Sequence, residues 1–271
     1  MEFKLVKTFY ENETVVRSIP EFIEAVKILG GYLDKDGPPD ALWYRGQNKT
    51  SYSLCPSATR FDSRWFYDKS FENIIFSEFI HKAMSAHRDQ RDKNDRWYWH
   101  IIAQHYGLPT RLLDWTEGAL ISLFFALEGS IDNLTSPCVW VLNPYRMNEL
   151  STNKELIYFC DSITKDEDDI EILERYNFAS DNLPVYPAAF IPAYVDSRIR
   201  AQKGCFTVFG SKKGGLEELA GKHTDKPFLG RIRISSGEQS IRDMKQHLSD
   251  LGVSDYDICL LYTSPSPRDQ R

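Results

Sequence analysis

The sequence predicts an α+β fold: a single mixed domain with a central sheet and a buried core helix. Three observations support this prediction. The chain has 271 residues, of which 42% are hydrophobic, so it has enough apolar material for one sizeable core. Several long segments place apolar residues at helical spacing. Short apolar and aromatic runs between turn residues indicate strands, and there is no internal repeat.

Five helices are predicted from the helical spacing of apolar residues. Their ranges are 20–34, 70–86, 97–106, 161–175 and 240–251. Gly30-Gly31 is predicted to cap the C-terminus of the first helix, and Gly107 with Pro109 is predicted to end the third. The acidic segment 161–175 is predicted to be a surface helix.

A sixth helix is predicted to run through the core. Asp114 and Glu117 have the layout of a capping box, with Asp114 at the N-cap position. Residues 119–127 are almost entirely apolar, and a helix that is apolar on all sides in a globular protein is buried. Asp114 is therefore predicted to begin the core helix.

Five strands are predicted from short runs rich in apolar and aromatic residues. They are Ala41–Arg45, Cys138–Leu142, Ala189–Val195, Cys205–Phe209 and Phe228–Ile234. The first is expected to stop at Gly46. Residues 36–40 form a predicted turn. Residues 88–96 contain no apolar residue and form a predicted solvated loop.

The composition disfavours several classes of protein and of binding partner. The formal net charge is −6, which disfavours non-specific binding to nucleic acid. No apolar run approaches the roughly 20 residues needed to cross a bilayer, so no membrane partner is expected. The five cysteines are scattered and form no CxxC pair, which predicts reduced thiols in a cytoplasmic protein. Histidine and cysteine spacing predicts no metal site.

The last thirteen residues, 259–271, differ in character from the rest of the chain. Their first part, CLLYTSPSPRD, matches a one-frame translation of the transposon-end adapter used to prepare sequencing libraries. We therefore expect residues 259–271 to be non-native and the natural sequence to continue differently after Ile258. The expected organisation is an N-terminal extension at 1–19 and one domain at 20–258, truncated at its C-terminal end.

The segment Tyr44-Arg45-Gly46 is the first candidate site. Arg45 ends a predicted strand and offers a planar, always charged set of donors that suits phosphate or carboxylate. Gly46 allows another group to approach the backbone closely. Two roles for Arg45 remain open: binding a ligand, or pairing with a core carboxylate to join two elements.

The segment Gln104–Trp115, QHYGLPTRLLDW, is the second candidate site. It crowds several polar side chains, which would be costly to bury unpaired, between a turn and the core helix. These are Gln104, His105, Thr110, Arg111 and Asp114. Asp114 has three further roles open to it: helix N-cap, partner of Arg111 or partner of Arg45. His105 is either a general acid or base or a structural residue.

Three stretches resemble the FRG-domain family, which is named for an aromatic-Arg-Gly motif. They are Tyr44-Arg45-Gly46, Tyr52–Arg60 and the stretch Ala103–Thr116, which contains QHYGLPTRLLDW. Arg198–Phe206 is similar to a late family element of the form RIxxQxGxF. The resemblance covers about residues 20–215 and implies no particular reaction. Because family members are common in bacteria and mobile elements, it implies an effector or defence role.

The motif positions define the candidate site. The candidate catalytic residues are His105, Asp114 and Gln202. The candidate ligand-binding residues are Tyr44, Arg45, Gly46, Gln104, Thr110, Arg111, Trp115 and Arg198.

Arginine-type ADP-ribosyltransferases offer an analogy for the reaction. They also open with a strand carrying an aromatic-Arg-Gly pattern, whose arginine holds the phosphate or ribose of the dinucleotide. By this analogy Arg45 would bind NAD, and Gln202 or Asp114 would act near the ribose. The chain shows no clear Ser-Thr-Ser motif followed by Glu-x-Glu on its late strands, so enzymatic activity stays open.

Two other functions remain as alternatives. One is a non-catalytic module that binds a phosphorylated ligand or nucleic acid, with Trp43 and Trp115 available for stacking. In this module the arginines would converge on the ligand: Arg45, Arg60, Arg111, Arg198 and Arg200. A small phosphorylated ligand or nucleotide is the favoured partner, and nucleic acid is less favoured. The other alternative is that the polar residues form only a buried network and that the protein acts through its surface. The sequence does not define an oligomeric state.

Overall fold

An eight-stranded mixed sheet organises the chain in the computed structural model, which describes residues 15–33, 42–61, 69–84, 95–128, 136–160, 166–193 and 197–259. The strands are β1 Val15–Val16, β2 Trp43–Gln47, β3 Leu112–Thr116, β4 Cys138–Leu142, β5 Tyr158–Cys160, β6 Ala188–Pro192, β7 Gly204–Val208 and β8 Leu229–Ile234. In space they follow the order β1-β8-β4-β2-β3-β7-β6-β5. The outermost pairs, β1/β8 and β5/β6, are parallel, and the other neighbouring pairs are antiparallel.

Eleven helices lie within the described residues. They are α1 Ile19–Leu33, α2 Ser57–Phe61, α3 Lys69–Ala83, α4 Arg96–His105, α5 Ala119–Leu127, α6 Pro144–Thr152, α7 Glu167–Tyr176, α8 Ser197–Ala201, α9 Leu216–Ala220, α10 Glu238–Asp250 and α11 Asp255–Cys259. None of these helices combines the length and apolar character that crossing a bilayer requires.

Helices cover both faces of the sheet. On one face there are two separate hydrophobic clusters: α1, α5 and α10 pack on β2, β4 and β8, whereas α4 and α7 pack on β3, β5, β6 and β7. On the opposite face a single cluster extends across the sheet and includes Trp43, Trp115 and Trp140. The two-cluster face therefore has a boundary near its centre.

The two central strands, β2 and β3, pair at only one position. The structure describes both strands completely, and their one registered pair is Tyr44 with Thr116. By contrast, β2 forms five registered pairs with β4, and β3 forms five with β7. Residues 45–47 of β2 and residues 112–115 of β3 do not pair with each other. We call this unpaired stretch the β2/β3 seam.

The predicted α+β class is confirmed, with one central sheet and helices packed on it. The strand Cys138–Leu142 has the predicted bounds, as β4, and the apolar run 119–127 of the predicted core helix is helical, as α5. The five other predicted helices are present as α1, α3, α4, α7 and α10, and the remaining predicted strands as β2, β6, β7 and β8, with shifted ends. The predicted turn at 36–40, most of the predicted loop at 88–96, residues 1–14 and residues 260–271 lie outside the described residues.

Two predicted helix ends are wrong. Gly30-Gly31 does not cap α1, which continues through both glycines to Leu33. Asp114 does not begin the core helix, because it lies in β3 and the N-cap of α5 is Gly118. Alternating burial explains the strand: Leu113 and Trp115 belong to the cluster on one face, whereas Leu112 belongs to a cluster on the other.

The core helix is also less enclosed than predicted. Its buried residues are Ser122, Leu123, Ala126 and Leu127. The other five residues of α5 are partly exposed. The helix therefore has one buried face, which packs on β2 and β4.

Candidate functional site

Asp114 is the exposed carboxylate at the boundary between the two hydrophobic clusters. It is the only exposed residue of the four central strands β4, β2, β3 and β7, all of which the structure describes in full. Its registered neighbour on β7, Phe206, is buried. The centre of a sheet covered by helices is normally apolar, so this position requires an explanation.

Gln104, the penultimate residue of α4, fixes the Asp114 carboxylate. The Gln104 Nε2 amide donates to Oδ1 of Asp114 at 3.2 Å and to Oδ2 at 3.0 Å. The Gln104 Oε1 atom accepts a hydrogen bond from the hydroxyl of Thr110, which is fully buried. Two motif residues thus orient a third.

Arg45 crosses the β2/β3 seam. Its Nη1 donates to the main-chain oxygen of Asp114 at 2.5 Å, and its Nε is buried with no hydrogen-bond partner among the described residues. Burial lowers the pKa of the Arg45 guanidinium, Asp114 opposes that shift, and Arg60 adds to it. Where the strands no longer pair, this side chain supplies a bond between them. Arg45 thus joins two elements, one of the two roles open to it, although it binds the main-chain oxygen of Asp114 and not a carboxylate.

The close approach at Gly46 comes from helix α5. A Cβ added to Gly46 would lie 2.0 Å from the carbonyl oxygen of Ser122 and 2.5 Å from the amide nitrogen of Ala126. Only glycine allows the helix backbone to lie this close to β2. Gly46 thus holds α5 against the sheet beside the seam.

Arg111 lies in the core, with 1% of its side chain exposed. Its Nε donates to the carboxylate of Glu72 at 2.9 Å, and Glu72 is equally buried. Its Nη1 donates to the main-chain oxygen of Phe209, and its Nη2 to those of Tyr176 and Asn177. The arginine thereby joins α3, the end of α7 and the end of β7. This geometry supports a structural role in place of the predicted ligand contact.

His100 is a second buried ionisable group beside Arg111. It is fully buried, and neither ring nitrogen has a hydrogen-bond partner among the described residues. Its ring lies among Phe76, Trp97 and Phe178, at centroid distances of 5.1, 5.7 and 5.9 Å. Burial and, second, the Arg111 cation hold the pKa of His100 well below its usual value. The histidine is therefore neutral in the folded protein.

The aromatic candidates are core residues. Trp115 and Trp43 are 3% and 1% exposed, so the predicted stacking of a ligand on either ring is wrong. Trp115 Nε1 donates to Thr207 Oγ1 at 3.1 Å, which satisfies its only donor. Tyr44 packs in the cluster beneath α5, and burial raises the pKa of its phenol.

Three other candidates, His105, Gln202 and Arg198, lie on α4 and on or next to α8. His105 is exposed at the end of α4, where its ring contacts Tyr106. Gln202 follows α8; its side chain donates to the main-chain oxygen of Ile258 at 3.4 Å. Its own main-chain oxygen accepts from Thr116 at 2.6 Å. Arg198 is partly exposed on α8. Their predicted roles in catalysis and binding remain predictions.

Two further residues belong to this region: Ser57, which was not a candidate, and Arg60, which was a candidate only for the phosphorylated-ligand alternative. Ser57 Oγ accepts from the Thr110 N–H at 3.1 Å, which ties the start of α2 to the motif. Arg60 is exposed on α2 and acts electrostatically on Arg45. Both belong to the stretch Tyr52–Arg60 that resembles the family, and that resemblance was the available signal. Among the described residues, no group of three or more His, Cys, Asp or Glu side chains is arranged to hold a metal.

Comparison with known proteins identifies one family. Residues 40–133 match the family model described as the FRG domain. This range contains β2, the segment before α2 and all of QHYGLPTRLLDW. Neither the curated proteins nor the solved structures contain a match to the chain.

Proposed function

We propose that this chain, which carries an FRG domain over residues 40–133, binds a ribonucleotide such as NAD at the surface around Asp114, Gln104 and Arg60. One observation carries the proposal: a carboxylate that a second polar side chain orients is the only exposed residue of the four central strands, all of which the structure describes. Such a group does not add to the hydrophobic core, and a ligand-facing role accounts for it.

The charges around Asp114 favour a ligand that is both anionic and rich in donors. An ionised carboxylate accepts hydrogen bonds and donates none, so it selects hydroxyl or N–H groups. Arg60 is exposed and offers a guanidinium that suits phosphate. Both residues act electrostatically on the same side chain, Arg45. A ribonucleotide carries both kinds of group.

A free nucleotide is favoured over nucleic acid by the overall charge. Polymers bind chiefly through many phosphate contacts, and a net charge of −6 opposes that mode. The proposal accordingly needs one phosphate contact rather than a basic surface.

The test is a calorimetric titration of NAD and ADP into the wild-type chain and into Asp114→Asn and Arg60→Gln. Hydrogen bonds to charged groups contribute about 1.5–3 kcal/mol, so each variant is expected to bind about tenfold or more weakly. Failure of the wild-type chain to bind either nucleotide would contradict the proposal.

The chain provides matched controls on α10. Asp243 is an exposed carboxylate that also accepts from a glutamine, Gln239 Nε2, at 2.7 Å. Arg242 is an exposed arginine paired with Glu238. Asp243→Asn and Arg242→Gln repeat the same chemical changes on a helix surface, so both are expected to bind like the wild type.

Transferase chemistry and the cellular role are further parts of the proposal. Nicotinamide release from bound NAD by the wild type, and not by Asp114→Asn, would support an ADP-ribosyltransferase-like reaction.

An effector or defence role, taken from the family resemblance, predicts slower growth of a bacterial host that expresses the wild type than of one that expresses Asp114→Asn. Equal growth would argue against that role.

A further inference from the structure

Thr110 connects the oriented carboxylate to the start of α2. The residue is fully buried, and its main chain is bound on both sides: the N–H donates to Ser57 Oγ at 3.1 Å, and the carbonyl accepts from Ala58 N at 3.0 Å. Its hydroxyl oxygen accepts from the N–H of Leu112 at 3.2 Å. The position and rotation of the hydroxyl are therefore fixed.

The fixed hydroxyl determines which way the Gln104 amide faces. A threonine hydroxyl has one proton, and here that proton is donated to Gln104 Oε1. The Nε2 end of the amide must then face Asp114, where it donates to both carboxylate oxygens. The opposite orientation would place two oxygen acceptors together and leave the Thr110 proton without a partner, which costs free energy in a buried position.

Asp114 can accept further hydrogen bonds in addition to those from Gln104. A carboxylate has about four lone-pair sites, and Gln104 occupies one on each oxygen. The side chain is exposed, so the other sites point to solvent. An acceptor with two free sites matches a group that presents two neighbouring donors and no negative charge.

We propose that Thr110 is a positioning residue that acts through Gln104 to present Asp114 to the vicinal hydroxyls of a ribose. The inference rests on the proposed binding of a ribonucleotide and assigns the sugar, rather than the phosphate, to Asp114. A phosphate at this position would bring like charges together, whereas Arg60 attracts it.

The experiment compares ADP with dideoxy-ADP, in which hydrogen replaces both ribose hydroxyls and the phosphates are unchanged. The wild-type chain is expected to bind ADP about tenfold or more tightly than dideoxy-ADP, since two hydrogen bonds to a charged group are lost. Thr110→Val is expected to weaken ADP binding about fivefold and to leave dideoxy-ADP unchanged, because only the carboxylate contact depends on Thr110. Thr110→Ser keeps the hydroxyl and is expected to restore the preference.

Equal weakening of both ligands by Thr110→Val would indicate a general structural role and overturn the proposal. So would equal binding of the two ligands by the wild type.

A ligand-free measurement separates this inference from the proposed function. NMR relaxation of the Gln104 side-chain amide is expected to show a rigid group in the wild type and in Thr110→Ser, and a mobile one in Thr110→Val. A rigid amide in Thr110→Val overturns the positioning role whatever binds. Absence of ADP binding by the wild type overturns the ribonucleotide proposal together with the assignment of the sugar.

Discussion

Arg45 and Arg111 come from the two signature motifs, and the fold uses them differently. Arg111 is 1% exposed and is bound by a buried carboxylate and three main-chain oxygens. Arg45 is partly exposed, binds one main-chain oxygen, and has a buried Nε without a partner among the described residues. The difference shows that the fold satisfies the guanidinium of Arg111 by itself and leaves that of Arg45 incompletely bound.

The largest expected effect on stability tests the structural role of Arg111. Arg111→Met removes the cation that pairs with the buried Glu72 carboxylate and the side-chain donors to three main-chain oxygens. Removing one partner of a buried ion pair costs about 3–5 kcal/mol, so the free energy of unfolding is expected to fall by that amount. Urea unfolding followed by circular dichroism measures the change.

A double variant and a surface control sharpen this result. Glu72→Leu combined with Arg111→Met removes the buried carboxylate as well as its cation, so part of the loss is expected to be recovered. Arg242→Met breaks an exposed pair with Glu238 and is expected to cost less than about 1 kcal/mol. Wild-type stability of Arg111→Met would refute the structural role.

The next effect concerns the glycine that follows Arg45. Gly46→Ala places a Cβ 2.0 Å from a backbone oxygen of α5, so the helix must move away from β2. Overpacking of this kind costs about 2–3 kcal/mol, seen as a lower midpoint of urea unfolding. Gly31→Ala is the matched control: no atom lies within 4 Å of the added Cβ, and alanine favours the interior of α1. A control that destabilises as much would show that steric contact with α5 is not the cause.

A smaller effect is expected at Arg45 itself. Arg45→Met removes the bond from Nη1 to the Asp114 carbonyl and, with it, the side-chain bridge across the seam. One hydrogen bond to a charged group predicts a loss of about 1.5 kcal/mol in the free energy of unfolding. A loss as large as that of Arg111→Met would erase the distinction between the two arginines.

The smallest expected effect is a pH dependence near Arg111. The pKa of His100 is lower in the folded protein than its usual 6.5, so the unfolded chain takes up a proton first as the pH falls. The free energy of unfolding is therefore expected to decrease as the pH drops below about 6.5. His100→Phe should lose this contribution, and His105→Asn, which changes an exposed histidine of the same helix, should retain it.

Urea midpoints of the three proteins at about pH 7.5 and about pH 5.5 measure the difference. Identical shifts in all three would show that His100 does not contribute. The Arg45 region contains no buried histidine among the described residues, so this dependence belongs to the Arg111 side of the comparison.

Much of the fold follows from local patterns. Residues 119–127 and 138–142 have nearly unbroken apolar sequences; the strand was predicted with its observed bounds, and the helix was predicted over this run but with too early a start. The strand β3 was missed because Asp114, in LLDWT, has the spacing of a helix cap relative to Glu117. The conformation of β3 is decided by its pairing with β7, which lies about ninety residues away along the chain. The local sequence does not reveal a pairing between such distant segments.

For the candidate site, the sequence indicated that a polar network exists, but not which of the candidates belong to it. The density of polar residues around Thr110 indicated a network, and Gln104, Thr110 and Asp114 do form one. The pattern did not separate Arg111 from Arg45, because both present the same donors and only the tertiary fold supplies Glu72. Nor did it show that Trp115 faces the core, since that depends on the register of β3.

Because β2 and β3 pair at a single position, the contact between the two halves of the sheet resembles an interface between two proteins. Four strands lie on each side of it, β1, β8, β4 and β2 on one and β3, β7, β6 and β5 on the other. The aromatic-Arg-Gly motif belongs to the first half, and QHYGLPTRLLDW supplies the edge of the second. A substitution in one motif is therefore expected to be accommodated by a change in the other, as between the two partners of a protein complex, and the two motifs should covary across the family.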